Sequence, residues 1–302
     1  MSAAQRVLVT GAHGQVGVDL VDTLRALSPP GADASWQRDD ARVADNEFVV
    51  TALSHDDLDV TKRELVAGAL RDSRAQVVVN LAAYTKVDAA ESDVTTARAL
   101  NSDAVGALSE LCNEFGAHLI TISTDFVFNG TKGSAYVEGD ATDPLNVYGL
   151  TKRAGELNCS PRDSVLRTSW VLGVRARNVV HVIVDRVSRG ESVNFVDDQR
   201  GTPTFAADLS RALVTLIRTQ PGGLWHFANE GDVSWFEIAR AVSLAVTGSD
   251  ELVHAVQTSE LSPAPIAQRP ARSDLDTSQW RANGFDPPRA WSDGLARFLS
   301  AR

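Results

Sequence analysis

Short apolar runs alternating with amphipathic stretches predict a doubly wound α/β architecture, a parallel sheet covered on both faces, with a smaller C-terminal α/β lobe attached. Three features carry that expectation. Runs at 6–10, 48–53, 77–82 and 118–123 are rich in Val, Ile and Leu with hardly a polar break, the pattern of strands buried on both faces. After the first run Val16, Leu20, Leu24 and Leu27 recur at spacings of four, four and three, which is one stripe of a helix. Between that run and that helix stand three evenly spaced glycines, Gly11, Gly14 and Gly17.

The remaining elements follow in order. Residues 28–46 begin with Pro29-Pro30-Gly31 and show little periodicity, so a surface insertion is expected there. Residues 98–115 and 148–157 read as helices, and 165–172 and 224–228 as further strands of the sheet. The stretches 174–220 and 229–302 mix short strands with helices, and Trp291, Leu295, Phe298 and Leu299 mark an amphipathic terminal helix. Pro263, Pro265, Pro270, Pro287 and Pro288 punctuate this part, as loops folding over a site require. The two lobes are therefore expected to interleave, 1–173 plus 206–228 forming one and 174–205 plus 229–302 the other.

A chain of 302 residues has room for two lobes at about 150 residues each. Hydrophobic residues at 43% and charged ones at 23% are globular usage, which excludes a disordered chain or a coiled coil. The net charge of −10, with no basic cluster, excludes a nucleic acid polymer as main partner, because counterion release needs arrayed cations. Nucleotide-sized ligands stay open, since backbone N–H groups hold phosphates without net positive charge. Cys112 and Cys159 cannot build a disulfide framework and read as small buried hydrophobes in a reducing compartment. The sequence enters its first strand without the apolar core of a signal peptide, and no run approaches the ~18 apolar residues of a membrane span. A soluble, cytoplasmic protein with no membrane contact is expected.

The stretch Val7-Leu8-Val9-Thr10-Gly11-Ala12-His13-Gly14-Gln15-Val16-Gly17 has the order of a Rossmann-type dinucleotide fingerprint. Gly11 permits the tight turn, Gly14 lets backbone approach a pyrophosphate, and Gly17 lets helix and strand pack closely. Gly11, His13, Gly14, Gln15, Val16 and Gly17 are accordingly candidate cofactor contacts; a glycine turn that merely packs is the competing reading. Which nicotinamide cofactor binds turns on the end of the second strand, where a carboxylate would hold the ribose of NAD and repel a 2′-phosphate. Leu53-Ser54-His55 offers a hydroxyl and an imidazole there, with Asp56 just beyond, which leans to NADPH with NADH open and makes Ser54 a candidate contact.

Tyr148 and Lys152 stand four apart at the start of a helix, hence on one face. Lysine is scarce, occurring only at Lys62, Lys86, Lys132 and Lys152, so its presence at this spacing is informative. A free phenol titrates near ~10; a neighbouring ammonium and an oxidised nicotinamide ring are expected to lower that value, fitting Tyr148 as general acid for a carbonyl oxygen. An exposed tyrosine with an unrelated lysine is the bland alternative. Thr124, at the carboxyl end of the strand 118–123, faces the crevice where ligands bind in such sheets and is the candidate hydrogen-bond partner of the substrate oxygen; a strand-end turn residue is its alternative.

The segments Asn80-Leu81-Ala82-Ala83-Tyr84-Thr85-Lys86-Val87-Asp88, Asn101-Ser102-Asp103-Ala104-Val105-Gly106, Ser123-Thr124-Asp125-Phe126-Val127-Phe128, Pro144-Leu145-Asn146-Val147-Tyr148-Gly149-Leu150-Thr151-Lys152, Arg167-Thr168-Ser169-Trp170, Asp198-Gln199-Arg200-Gly201-Thr202-Pro203-Thr204 and Arg269-Pro270, followed by Ser273-Asp274-Leu275-Asp276, resemble the dTDP-4-dehydrorhamnose reductase family, extended short-chain dehydrogenases/reductases. The resemblance covers almost the whole chain outside 28–46 and includes the Gly-x-x-Gly-x-x-Gly spacing. It implies hydride transfer to the 4-keto carbon of a dTDP-sugar, dTDP-4-dehydro-β-L-rhamnose, giving dTDP-L-rhamnose for cell-envelope polysaccharide. Tyr148 would supply the proton, Lys152 would hold the nicotinamide ribose, and Thr124 would polarise the ketone. Ala82, Ala83, Tyr84 and Asn101 match cofactor positions, and Asp59 and Val60 fall where this superfamily meets adenine, although Asp59 also reads as an ordinary helix cap. Val87, Asp88, Asp125, Phe126 and Trp170 match substrate-side positions; core packing is the alternative for Trp170. A homodimer is expected on the same ground.

Two departures stand out. Phe126 replaces the usual tyrosine of Ser-Thr-Asp-Tyr, which leaves the sugar's stereochemistry open and admits another nucleotide-sugar 4-ketoreductase. Some relatives bind Mg²⁺ at the dimer interface; Asp19 matches one such position weakly, while near Ala206-Ala207-Asp208 the expected carboxylate is displaced. A dehydratase or epimerase is disfavoured because Phe126 cannot do the acid–base work of the glutamate in Ser-Thr-Asp-Glu. A non-catalytic NADP-binding subunit, like the regulatory subunit of methionine adenosyltransferase, remains an alternative.

Overall fold

The computed structural model describes residues 4–27 and 47–302; the insertion expected at 28–46 lies outside the described residues. In chain order β1 (Gln5–Thr10) leads through α1 (Gln15–Ala26) to β2 (Phe48–Leu53), then through α2 (Arg63–Ser73) to β3 (Val77–Asn80). Short helices α3 (Val87–Ala90) and α4 (Val94–Arg98) run through a π-helical turn at Ala99–Asp103 into α5 (Ala104–Phe115), followed by β4 (His118–Thr124), α6 (Val147–Leu157) and β5 (Ser164–Thr168). Next come β6 (Val171–Leu172), α7 (Val179–Ser188), β7 (Val193–Val196), β8 (Arg200–Gly201), β9 (Thr204–Phe205), α8 (Ala206–Thr219) and β10 (Gly223–His226). The chain closes with β11 (Val233–Ser234), α9 (Trp235–Thr247), β12 (Val253–Val256), α10 (Ser278–Ala282) and α11 (Trp291–Ala301).

Six parallel strands form the main sheet in the order β10-β5-β4-β3-β1-β2. Successive side chains of a strand point to opposite faces. Val7 and Val9 of β1 therefore enter one core with Leu20 and Leu24 of α1 and Leu209 and Leu213 of α8, whereas Leu8 enters the other with Val66 and Leu70 of α2 and Leu108 and Leu111 of α5. Both faces are covered, which is why the strands read as continuous apolar runs. The strand order reverses between β1 and β3, so a crevice opens at their carboxyl ends. A separate core joins α7 and α9, through Ile183, Val187, Ile238 and Val242, to Phe205 and Phe298.

The strand expected at 165–172 is two strands. β5 stops at Thr168; Trp170 adopts a left-handed φ of 44°, and the chain turns out of the main sheet so that β6 pairs with β9. The chain then returns, because β10 adds to the sheet edge beside β5. No helix among the described residues is long and apolar enough to cross a membrane.

Candidate active site

The glycine loop sits where β1 meets α1. Gly11 has φ +65°, and a Cβ there would lie 2.7 Å from the backbone nitrogen of Ala82; a Cβ on Gly17 would lie 2.3 Å from the Gly11 carbonyl oxygen. Gly14 caps α1 with no side-chain hydrogen bond and no acidic residue in the first turn, and it is exposed with His13. The first N–H groups of α1 are thus left open to an anion, the arrangement that a dinucleotide pyrophosphate fits. Gln15 is engaged elsewhere: its side-chain oxygen accepts from the Gly173 N–H and from Asn178 Nδ2, both at 3.1 Å. Val16 packs against the core.

At the end of β2 the side chain and N–H of Ser54 both donate to Asp57 Oδ2, at 2.6 and 2.9 Å. The lean to NADPH rests on a strand end without a carboxylate; the fold supplies one, because the turn after β2 brings the exposed Asp57 back onto Ser54. The hydrogen bonds from Ser54 hold Asp57 below the usual carboxylate range. Asp59 does not cap α2, whose N-cap is Lys62; it accepts from the N–H and hydroxyl of Thr61 instead. Val60 is buried beside Leu58.

The loop after β3 carries Ala82, Ala83 and Tyr84, all half-buried, over the glycine turn. Asn101 supports this loop rather than opening onto the crevice. It is 1% exposed, its Oδ1 accepts from the Tyr84 N–H at 2.9 Å, and its Nδ2 donates to the Tyr84 carbonyl and the Thr151 hydroxyl. The π-helical turn at Ala99–Asp103 presents it there, a distortion of the kind often found at functional sites.

Thr124 ends β4, and α6 begins across from it. Asn146 starts α6 by accepting from the Gly149 N–H at 2.8 Å, and its Nδ2 donates to the Gln268 carbonyl, so one side chain sets the helix and holds the C-terminal segment. A Cβ on Gly149 would lie 2.2 Å from the Phe126 carbonyl oxygen, which brings the start of α6 tightly onto the end of β4. The Tyr148 hydroxyl faces Thr124, and the Phe126 ring meets the Tyr148 ring edge-on at 6.0 Å. Burial pushes the Tyr148 hydroxyl up to about 12, with Thr124 opposing and Asp125 adding. The expected lowering is not a property of the protein alone. Lys152 is 5% exposed and donates to the Ile122 carbonyl at 2.6 Å; burial brings it down to about 8, with Glu156 opposing.

Beneath Lys152 lies a buried ion pair. Both oxygens of Glu156 accept from Arg167 at 2.7 Å, and Arg153 and Ser123 add further bonds. Burial pushes Glu156 up, but the contacts with Arg167 outweigh it and hold the carboxyl below its usual range. Glu156, one helical turn beyond Lys152, is a site residue that sequence reasoning missed and helical spacing could have found.

On the substrate side, Asp125 is buried, whereas Asp88 is paired but partly exposed. Asp125 is 2% exposed, accepting from Thr124 at 3.0 Å and from Ser273 at 2.5 Å. Asp88 accepts from both terminal nitrogens of Arg269 at 2.6 Å and from the N–H groups of Ile266 and Ala267, so it fastens the C-terminal segment over the crevice. Arg269 and Ser273 lie in segments that carry the family resemblance, but no local pattern signals their pairing with Asp88 and Asp125. Val87, beginning α3, and Phe126 are half-buried. Trp170 is stacked on Trp235 at 4.2 Å, and a Cβ on Gly201 would come 2.9 Å from its ring.

Among the described residues the candidate carboxylates for Mg²⁺ are engaged elsewhere or buried. Asp19 is 5% exposed and burial pushes it up to about 6, while neighbouring Asp22 is paired with Arg175; Asp208 is bound by Arg297 and Asn229. Among the described residues no three His, Cys, Asp or Glu side chains gather as a metal site. Cys112 and Cys159 are free thiols, each pushed up to about 12 by burial.

A doubly wound sheet with an open helix N-terminus, and a threonine, tyrosine and lysine gathered at the end of a central strand, defines a nicotinamide-dependent oxidoreductase. Residues 5–302 match the family model described as the RmlD substrate binding domain. A probable dTDP-4,6-dihydroxy-2-methyloxan-3-one 4-ketoreductase of Streptomyces antibioticus is 37% identical, over 96% of this chain and 93% of that protein. A dTDP-4-dehydrorhamnose reductase of Streptomyces griseus is also 37% identical, over 98% and 93%. The solved structure of dTDP-4-dehydrorhamnose reductase from Bacillus anthracis str. Ames in complex with NADP aligns with a TM-score of 0.87 at 30% identity, covering 99% of this chain and 100% of that one. The chain belongs to the dTDP-4-dehydrorhamnose reductase family.

Proposed function

We infer that the protein is an NAD(P)H-dependent oxidoreductase that reduces the C4 ketone of dTDP-4-dehydro-β-L-rhamnose to dTDP-L-rhamnose. The observation that carries this reading is the meeting of Thr124, Tyr148 and Lys152 at the end of β4 in a chain of this family. The glycine loop and the 82–84 loop would hold the dinucleotide, which when bound and reduced supplies the hydride. Tyr148 donates its proton to the C4 oxygen as negative charge develops there. A hydroxyl held up to about 12 is protonated throughout the neutral range, the state that reduction demands of its acid. Lys152 holds the nicotinamide ribose and places a positive charge beneath the phenol. Thr124 orients the ketone oxygen, and Val87, Phe126 and Trp170 line the sugar side. We assign 1–173 plus 206–228 to the cofactor and 174–205 plus 229–302 to the sugar nucleotide. A cytoplasmic homodimer follows from the family resemblance; sedimentation velocity tests the dimer.

Purified protein should oxidise NADPH or NADH on addition of the 4-keto sugar nucleotide. Tyr148→Phe should lower kcat by about 10²–10⁴-fold while NADPH affinity survives. A variant of near-native rate would sink the mechanism, and the absence of turnover by the native protein would favour a binding role. Phe126 favours a second reading within the same chemistry, an alternative dTDP-4-keto sugar, and the Streptomyces antibioticus relative bears the name of such a ketoreductase. Comparing kcat/KM for the two ketones decides it.

A further inference from the structure

The hydrogen bonds around Thr124 leave its hydroxyl no hydrogen to offer a substrate. A hydroxyl has one hydrogen and two lone pairs. The hydrogen of Thr124 goes to Asp125 Oδ1 at 3.0 Å, and one lone pair takes the Phe126 N–H at 3.2 Å. Both oxygens of Asp125 are occupied as well, because Ser273 donates to Oδ2. An ionised Asp125 can only accept, so it fixes the Thr124 hydrogen inward. Adding one proton to Asp125 Oδ1 reverses the polarity of this chain. The carboxyl then donates to a lone pair of Thr124, and the Thr124 hydrogen is released outward. Thr124 thereby gains a hydrogen to donate that the ionised carboxylate withholds.

We propose that Asp125 is a proton-operated positioning residue: neutral, it frees the Thr124 hydrogen for the ketone oxygen, and ionised, it draws that hydrogen away. The proposal rests on the reductase reading. Burial supports it, raising Asp125 to about 7 against the bonds from Ser273 and Thr124, so that the group changes charge near neutrality. The charged groups around it are accounted for. Tyr148 faces it from α6; Lys152 is held on the Ile122 carbonyl, and Glu156 by Arg167. On the C-terminal segment, Arg272 and Asp274 flank Ser273 but pair with each other, and Arg272 also pairs with Asp232. The serine bond ties the switch to that segment, whose other anchors are Asp88 on Arg269 and Asn146 on Gln268.

The test is the pH profile of ketone reduction, from about pH 5 to about pH 9, for the native protein, Asp125→Asn and Ser273→Ala. Native kcat/KM should fall above neutrality. The side-chain amide that Asp125→Asn introduces can donate to Thr124 while its oxygen accepts from Ser273, copying the neutral acid. That variant should therefore stay within about tenfold of native at about pH 6 and lose the fall. Ser273→Ala removes a donor to the carboxylate and should move the fall to higher pH. Asp125→Asn falling at the native pH, or being as inactive as Thr124→Ala, overturns the proposal. Infrared difference spectra of native protein against Asp125→Asn, titrated without ligand, separate the switch from the reductase reading. A protonated-carboxyl band that disappears near neutrality supports the switch even if the ketone is not turned over, and its absence at about pH 6 overturns it.

Discussion

At the end of β2 a single carboxylate bears on cofactor choice. Asp57 is exposed and accepts both donors of Ser54, so the hydroxyl that could have met a 2′-phosphate is already committed and a negative charge stands in its place. A carboxylate here favours ribose hydroxyls and repels a phosphate. Asp57→Ser should therefore raise the ratio of kcat/KM for NADPH over NADH by about tenfold, from relieved repulsion and a recovered donor. Equal ratios in the two proteins would show that the 2′-position is read by other groups. This side chain could not be read from strand patterning, because its reach to Ser54 depends on the turn between them. Tyr148 and Lys152 were legible for the opposite reason: four residues on one helix fix their shared face whatever the tertiary context.

Among the elements, α6 carries the most chemistry and is held by close backbone approach on two sides. Gly149 abuts the Phe126 carbonyl, and a Cβ on Gly155 would lie 2.1 Å from the Asn101 carbonyl oxygen. Gly155→Ala must push α6 away from the π-helical turn, straining the Asn101 bonds to Thr151 and Tyr84. A loss of about 1–3 kcal/mol by urea unfolding, with weakened NADPH binding, is expected from such overpacking. Gly68→Ala in α2 is the internal control: nothing lies within 4 Å of its Cβ, so the same change should stabilise by about 0.5–1 kcal/mol. Equal effects at the two glycines would contradict the packing argument. Elements made by local periodicity were readable, as α1 and the four strands from β1 to β4 show. Those made by tertiary demand were not: the apolar run at 165–172 gives no sign that Trp170 will turn left-handed to stack on Trp235. Nor does any local pattern join Asp125 to Ser273, 148 residues away.

Across the whole molecule, buried titratable groups act on stability with opposite signs. Burial lowers His226 to about 4 from 6.5, so the unfolded chain binds more protons between those values and this group makes stability rise with pH. Asp19 and Asp125 are raised from 3.8 to about 6 and about 7; there the folded chain binds more protons, and stability falls as pH rises. The opposing slopes overlap between about pH 4 and 6.5, so the native curve alone cannot isolate any one of them. A difference between two proteins can. Asp125→Asn removes one falling contribution and leaves His226 and Asp19 in place. Relative to native protein it should therefore gain stability as pH rises from about 4 to about 7, at up to about 1.4 kcal/mol per pH unit, and then level off. Urea midpoints for both proteins across that range measure the difference directly. A difference already flat above about pH 5 would mean that Asp125 ionises like an exposed carboxylate, leaving the Thr124 hydrogen drawn inward at every pH where the enzyme works.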